Sequence, residues 1–263
     1  MSRPHALILR APGTNCDRET AFALQTAGAE TRILHVNRIL ENQKDLDEFQ
    51  ILCLPGGFSY GDDVAAGRIL GNQIRHHLAE AMHKFRDAGK LILGICNGFQ
   101  VLIKSGLLVG SQDVSGSTDM AGTLTWNDSG KFEDRWVHLE TCGNKSPFLE
   151  GIEKMYLPVA HAEGKFVAKS PDQLDALLAE GQLVLRYCDP AKSPETPVTF
   201  PENPNGSVEA TAGLCDHTGR VLGLMPHPER YIDRTQHPRW TRGEGGAEGD
   251  GLAMFKNAVS YFS

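Results

Sequence analysis

Short apolar runs alternate with longer amphipathic stretches through the first half of the chain. Runs of four to six residues are typical of buried strands, and the stretches between them carry apolar residues near helical spacing. The predicted strands are residues 6–9, 31–36, 51–54 and 91–95, and the predicted helices are residues 19–27, 65–88 and the stretch after residue 98. Because strands that alternate with helices form parallel sheets covered on both faces, this half predicts a doubly wound, mainly parallel α/β sheet.

The second half of the chain has a different pattern. Residues 122–126 and 135–140 alternate as strands around the turn sequence Asn-Asp-Ser-Gly, which predicts a β-hairpin added to the sheet. Further predicted strands are residues 155–160, 183–187, 208–214 and 221–225, and residues 252–262 form a closing helix. Since no linker separates the halves, residues 1–263 are predicted to form a single domain.

Composition excludes several classes of protein. The net charge of −7 and the pI near 5.8 argue against a general nucleic-acid surface, which needs a basic face. No apolar stretch is long enough to span a membrane. The six cysteines are scattered without a C-x-x-C pair, which predicts free thiols in the cytoplasm and no metal site.

The chemistry centres on Cys96, which lies between a predicted strand and a predicted helix. Gly94 and Gly98 flank it, giving G-x-C-x-G where α/β-hydrolases carry the G-x-S-x-G nucleophile elbow. Side chains at these two positions would collide with the neighbouring strand and helix. The turn places the sulfur at a helix N-terminus, where unpaired amides favour negative charge. Cys96 is predicted to be a nucleophile, and a buried structural cysteine is the alternative.

A base for this cysteine is predicted at the end of a distant strand. Residues 221–225 lead directly into the sequence Pro-His-Pro-Glu, which contains His227 and Glu229. Proline after His227 disfavours the helical conformation, and residues two apart on an extended chain point the same way. A carboxylate beside an imidazole fixes its orientation and stabilises its cation. Cys96, His227 and Glu229 therefore predict a catalytic triad, although His-Pro-Glu alone is also compatible with a plain turn.

Acyl transfer also requires amides that stabilise an oxyanion. The backbone N–H of Asn97 is one candidate, and the glycine pair that includes Gly57 offers a second, unless that pair is only a tight turn. His161 is predicted either to line the pocket or to satisfy a turn. The chain has no G-x-x-x-x-G-K-[ST] sequence, so ATP binding through a P-loop is not expected.

Six segments, spread over nearly the whole chain, share their residues with one family. They are Ala-Pro-Gly-Thr-Asn-Cys-Asp (11–17), Pro-Gly-Gly-Phe-Ser-Tyr-Gly-Asp (55–62), Gly-Ile-Cys-Asn-Gly-Phe-Gln (94–100), Val-Ala-His-Ala-Glu-Gly (159–164), Asn-Pro-Asn-Gly-Ser (203–207) and Met-Pro-His-Pro-Glu-Arg (225–230). Together they resemble the class I (triad) glutamine amidotransferases, and more narrowly the glutaminase subunits that serve purine biosynthesis.

The resemblance implies a flavodoxin-like fold and a set of roles. Cys96 would be the nucleophile, forming a γ-glutamyl thioester with the substrate. His227 would be the base and Glu229 its orienting partner. Gly57 and Asn97 would supply the oxyanion amides.

The resemblance also implies substrate contacts and partners. Phe58, Gln100 and His161 are expected to bind glutamine, and no cofactor is expected in this chain. Ammonia would pass to a synthetase subunit that uses ATP and magnesium to convert formylglycinamide ribonucleotide to formylglycinamidine ribonucleotide, with a small third subunit as a further partner. The hairpin at 126–136 and the glycine-rich segment 235–251 are expected to contact the synthetase.

Three other functions stay open at this point. The chain is also compatible with an amidotransferase of another pathway, such as pyrimidine, guanine or histidine synthesis. A hydrolase or redox protein with an elbow cysteine would share the same fold. A subunit that keeps the fold without catalysis is disfavoured, because Cys96, His227 and Glu229 are all present.

Overall fold

The computed structural model describes residues 3–112, 118–193 and 196–263. The strands are β1 His5–Arg10, β2 Glu30–His35, β3 Ile51–Leu54, β4 Leu91–Ile95, β5 Gly110–Gln112, β6 Thr118–Met120, β7 Gly122–Thr125, β8 Glu133–Thr141, β9 Lys154–His161, β10 Lys165–Ala168, β11 Leu183–Cys188, β12 Thr211–Cys215 and β13 Val221–Leu224. The α-helices are α1 Asp17–Ala27, α2 Val36–Glu41, α3 Arg68–Gln73, α4 Ala79–Asp87, α5 Asn97–Ser105, α6 Pro171–Ala179 and α7 Leu252–Ser260.

Nine strands form one sheet in the order β2-β1-β3-β4-β13-β12-β11-β8-β9. The first five strands of this order are parallel. Every residue of β3, β4 and β13 is buried, so this half is covered on both faces, which confirms the predicted doubly wound sheet. The remaining strands extend it with antiparallel pairings.

Local sequence explains where several helices begin and end. Helix α1 ends at Gly28, whose φ of 109° is readily adopted by glycine. Helix α6 begins after Ser170, whose hydroxyl accepts a hydrogen bond from the backbone N–H of Gln173. The helix predicted over 65–88 begins later, at Arg68, and is interrupted by a π-helical turn, Ile74–Leu78, between α3 and α4.

The predicted hairpin at 126–136 is wrong, although both of its strands exist. β7 pairs with β10 in a separate two-stranded sheet, whereas β8 pairs with β9 and β11. The Asn127 side chain contributes to this arrangement, because its amide donates to the carbonyls of His161, at the end of β9, and of Lys131, in the loop before β8. The short elements α2 and β10 carry no clear periodicity and were not predicted.

No helix in the described ranges has both the length and the apolar character required to cross a membrane.

Candidate active site

Two adjacent strands place the predicted nucleophile and base at one edge of the sheet. β4 and β13 are parallel and in register, with Ile95 opposite Leu224. The N–H of Cys96 donates to the carbonyl of Leu224 at 2.7 Å, and His227 follows three residues later. Ligands of parallel sheets bind at the carboxyl ends of the strands, and both residues lie there.

The turn at Cys96 has the geometry of a nucleophile elbow. Cys96 has φ 53° and ψ −106°, a strained conformation for a residue with a side chain. A Cβ added at Gly98 would lie 1.8 Å from the carbonyl oxygen of Leu54, and one at Gly94 would lie 2.5 Å from Leu102. Both flanking glycines are therefore needed for the close approach of α5 to β3 and β4.

His227 and Glu229 form a buried pair. Nδ1 of His227 lies 2.6 Å from Oε1 of Glu229. The backbone N–H of His227 donates to the carbonyl of Pro158 on β9 at 2.8 Å. Burial, the largest influence, acts to lower the pKa of His227, but the Glu229 carboxylate and then the Cys96 sulfur outweigh it. The pKa of His227 therefore lies well above 6.5. The pair favours a protonated imidazole held in one orientation.

The second ring nitrogen of His227 is available for chemistry. Nε2 is buried and makes no hydrogen bond of regular geometry within the described ranges. The Cys96 sulfur nevertheless raises the pKa of His227 through its charge and a side-chain contact, so the two groups are neighbours. Catalytic hydrogen bonds are often long before substrate binds. This geometry suits proton exchange between the sulfur, Nε2 and a substrate.

A second cysteine, not assigned a role from the sequence, lies against the base. Donor atoms of Cys16, His227 and Glu229 lie within 4.8 Å of one another, and all three residues are buried. The Cys16 thiol donates to Oδ1 of Asn15 at 3.1 Å and accepts from Nη2 of Arg230 at 3.1 Å. Burial, the main cause, raises the pKa of the Cys16 thiol. These contacts describe a neutral thiol that packs against the His227–Glu229 pair, and we assign it no metal.

The position of Cys16 has a signal in the sequence. It lies in the loop after β1, and that loop ends at the same edge of the sheet as Cys96. Its backbone N–H donates to the carbonyl of Gly56 at 3.2 Å, which joins this loop to the one after β3. A rule that collects every polar residue after a parallel strand would have included Cys16.

The two predicted oxyanion amides lie in segments that contact each other. Oδ1 of Asn97 accepts from the N–H of Ser59 at 3.1 Å, and its Nδ2 donates to Oδ1 of Asp62 at 2.9 Å. The loop containing Gly57 is thereby attached to the start of α5. Neither the Gly57 nor the Asn97 backbone N–H donates a hydrogen bond within the described residues. Their role as an oxyanion hole remains a prediction.

The three predicted glutamine contacts have different environments. Phe58 is 46% exposed and belongs to the surface beside the Gly57 loop. The Gln100 amide is occupied at both ends, since Oε1 accepts from Asn97 and Nε2 donates to the carbonyl of Glu163 at 2.7 Å. His161 is buried. Substrate binding by these residues remains a prediction, and the contacts of Gln100 show that it also positions the loop around Glu163.

Comparison with known proteins places this fold and site in a class. A profile of the CobB/CobQ-like glutamine amidotransferase domain matches residues 3–262. The chain belongs to this family of glutamine amidotransferases, as its six resembling segments predicted. A glutamine amidotransferase from Thermotoga maritima shares 14% of its residues at a TM-score of 0.53 over 92% of this chain and 83% of its own, which supports the fold alone.

More similar relatives narrow the family to PurQ. PurQ, a subunit of phosphoribosylformylglycinamidine synthase, is 46% identical in Dehalococcoides mccartyi over 99% of this chain and 98% of its own. The Methanococcus maripaludis protein of the same name is 38% identical over 99% and 98%. The solved structure of PurLQS from Thermotoga maritima matches with a TM-score of 0.73 and 34% identity, over 100% of both chains.

Proposed function

We propose that the chain is the glutaminase subunit of a phosphoribosylformylglycinamidine synthase in purine biosynthesis. One observation carries this proposal. β4 and β13 are adjacent parallel strands, so their carboxyl ends bring Cys96 beside the buried His227–Glu229 pair. The full-length similarity to PurQ subunits supports the choice of pathway over other amidotransferases.

The proposed reaction begins with Cys96 as a thiolate and its proton on His227. The sulfur attacks the side-chain carbonyl carbon of glutamine, and the Gly57 and Asn97 amides stabilise the oxyanion. The carbon–nitrogen bond breaks as His227 gives its proton to the nitrogen, which leaves as ammonia. A γ-glutamyl thioester remains on Cys96. Water then gives a proton to His227 and attacks the thioester, which releases glutamate and restores the thiolate. Glu229 stabilises the imidazolium during both formation and hydrolysis of the thioester.

Use of the ammonia requires a partner subunit that activates the amide of formylglycinamide ribonucleotide, the proposed acceptor. Formation of an amidine from an amide requires the amide oxygen to be activated, and we assign this step, with ATP and magnesium, to a synthetase subunit. A small third subunit fits the same assembly. Because ammonia that reaches neutral water is mostly protonated and no longer nucleophilic, it is passed directly between the subunits. We place the assembly in the cytoplasm, since all six cysteines are free thiols.

The synthetase contact is proposed at the two segments already singled out. Trp126 and Phe132, in the connection between β7 and β8, are each more than half exposed. Trp136 instead packs against His237 of the glycine-rich segment, with ring centroids 5.9 Å apart. The two segments therefore meet and can form one continuous surface. Deletion of 235–251 without weaker binding to the synthetase would remove that segment from the proposal.

The proposal is tested in the assembled complex. Glutamate release and amidine formation are measured with glutamine, ATP, magnesium and formylglycinamide ribonucleotide. Cys96→Ala is expected to lower the rate of glutamine-dependent amidine formation by about 10⁴-fold or more, because the nucleophile is lost. Synthesis from added ammonium is expected to continue, because the synthetase is intact.

The matched control is Cys188→Ala, which removes another buried thiol, on β11. It is expected to change glutamate release by less than about threefold, in keeping with a site outside the reacting groups. Glutamate release that survives Cys96→Ala contradicts the mechanism, and a wild-type complex that forms no amidine contradicts the pathway.

A further inference from the structure

The side chain of His161 is held by a single buried amide. Nδ1 of His161 lies 3.1 Å from Oδ1 of Asn127. The same oxygen accepts from the N–H of Gly164, and the Asn127 nitrogen donates to the carbonyls of His161 and Lys131. Because both carbonyls require the nitrogen of the amide, the oxygen must face the imidazole.

This arrangement fixes the tautomer of His161. An amide oxygen only accepts hydrogen bonds, so Nδ1 must carry the proton and Nε2 must present a lone pair. Nε2 is buried and has no hydrogen-bond partner in the described part of the chain. An unpaired buried acceptor is unfavourable, and a ligand that donates a hydrogen bond would satisfy it.

His161 also stays neutral near the base. Burial, followed by the charge of His227, lowers the pKa of His161 from 6.5 to about 4, although Glu133 acts to raise it. The ring is therefore uncharged at neutral pH. A neutral imidazole accepts a hydrogen bond without supplying a proton, whereas an imidazolium would protonate a basic guest.

The same strand connects His161 to the reacting groups. On β9, the carbonyl of Pro158 accepts from the backbone of His227, and the carbonyl of Ala160 lies 3.7 Å from the Cys96 sulfur. His161 is the next residue. The loop that follows is attached to α5 through the hydrogen bond from Gln100 to the carbonyl of Glu163. His161 thus belongs to the wall of the site, although it lies outside the triad.

From these contacts we propose that Nε2 of His161 accepts a hydrogen bond from the ammonia released at Cys96 and so starts its transfer toward the synthetase. The inference rests on the proposed function. Nε2 is buried, and ammonia, about the size of water, is the smaller of the two products of the proposed reaction. No covalent bond changes at His161. Ammonia donates one of its N–H groups and keeps its own lone pair for the later attack.

The test uses the assembled complex and measures the ratio of glutamate released to amidine formed. His161→Phe keeps a planar ring and removes the acceptor. The ratio is expected to rise about fivefold to tenfold, as for one neutral hydrogen bond lost, because ammonia escapes to water. Synthesis driven by added ammonium is expected to stay at the wild-type rate.

A second variant changes the charge of His161 without changing the residue. Asn127→Asp places a carboxylate on Nδ1, which favours the imidazolium and removes the lone pair at Nε2. It also removes the donor to the carbonyls of His161 and Lys131, so the readout is the pH dependence of the ratio rather than its value at one pH. The ratio is expected to rise as pH falls, a dependence that a purely structural role would not produce. The matched control for His161→Phe is His138→Phe, which replaces an exposed histidine on β8 and is expected to leave the ratio at the wild-type value.

The outcomes separate the two proposals. A ratio that stays at the wild-type value in both variants overturns the inference, and so does a raised KM for glutamine with the ratio unchanged. If the wild-type complex makes no amidine from glutamine, the proposed function fails instead.

Discussion

The parallel half of the sheet supplies the groups proposed to react, whereas the antiparallel half supplies the groups that hold them in place. Cys96 and His227 follow two adjacent parallel strands. β9, at the far antiparallel edge in the strand order, contributes backbone carbonyls that contact both of these residues. The difference shows that the position of reactive side chains follows from strand order, whereas the wall of the site depends on contacts between distant segments.

The antiparallel half relies on buried amides for this purpose. Asn205 is fully buried, and its Nδ2 donates to the carbonyl of Gly164 at 2.7 Å and to the Tyr187 hydroxyl at 3.1 Å. Its Oδ1 accepts from the Ser207 backbone. The loop after His161 is thus held from one side by Asn205 and from the other by α5. Buried polar networks of this kind specify one arrangement when every member is paired.

The largest expected effect breaks the parallel half. Glu229→Gln keeps the shape of the side chain but removes the charge that raises the pKa of His227. The kcat for glutamate release is expected to fall by about 10⁴-fold, as when the carboxylate of a triad becomes an amide. Steady-state kinetics check this, with Glu80→Gln, an exposed residue on α4 paired with Lys84, as the control. A loss of less than tenfold would contradict the assigned role of Glu229.

The next largest expected effect is on the pH dependence of stability, and it concerns His161 in the antiparallel half. The pKa of His161 is about 4 in the folded chain and 6.5 in the reference state. Between these values the unfolded chain binds a proton that the folded chain does not, so stability falls as pH drops. A difference of this size corresponds to about 3 kcal/mol. Wild type is therefore expected to lose about 3 kcal/mol more than His161→Phe between about pH 7 and pH 4.

Urea unfolding at a series of pH values measures this difference. The free energy of unfolding is compared between the two proteins at each pH, so that the contributions of the titratable groups they share cancel. Parallel curves for wild type and His161→Phe would show that His161 is not held neutral.

The smallest expected effect weakens the antiparallel half. Asn205→Ala removes a fully buried amide and leaves its partners unpaired, so the free energy of unfolding is expected to fall by about 2 kcal/mol. Asn72→Ala, at an exposed position of α3, is the control and is expected to change it by less than about 0.5 kcal/mol. Equal values for both variants, measured by urea unfolding, would mean that the Asn205 network contributes little.

Much of the parallel half could be predicted from the sequence because its rules are local. The apolar runs give the strands, and the glycines around Cys96 indicate the elbow. The extended conformation predicted after His227 is wrong, because Pro228–Arg230 form a 3₁₀ turn, and this turn places Glu229 beside His227. The meeting of Cys96 and His227 also depends on the strand order, which the sequence does not give, and the structure places β4 and β13 side by side.

The antiparallel half could not be predicted to the same extent because its pairings are chosen over long distances. β7 and β8 read as a hairpin, yet β7 pairs with β10, and β8 with β9 and β11. Asn127 looked like a turn residue, and only its contacts with His161 give it a role. Cys16 belongs instead to the parallel half, in the loop after β1, where the strand-end rule would have included it.

The missing side chain at Gly98 has a consequence for how the site responds to substrate. Since α5 rests directly on the end of β3, the two candidate oxyanion donors are carried by segments that touch before any ligand arrives. If these amides form the predicted oxyanion hole, this contact holds their two segments together before glutamine binds. Binding energy from glutamine is then free to distort the substrate amide, and little of it is spent on reorganising the protein.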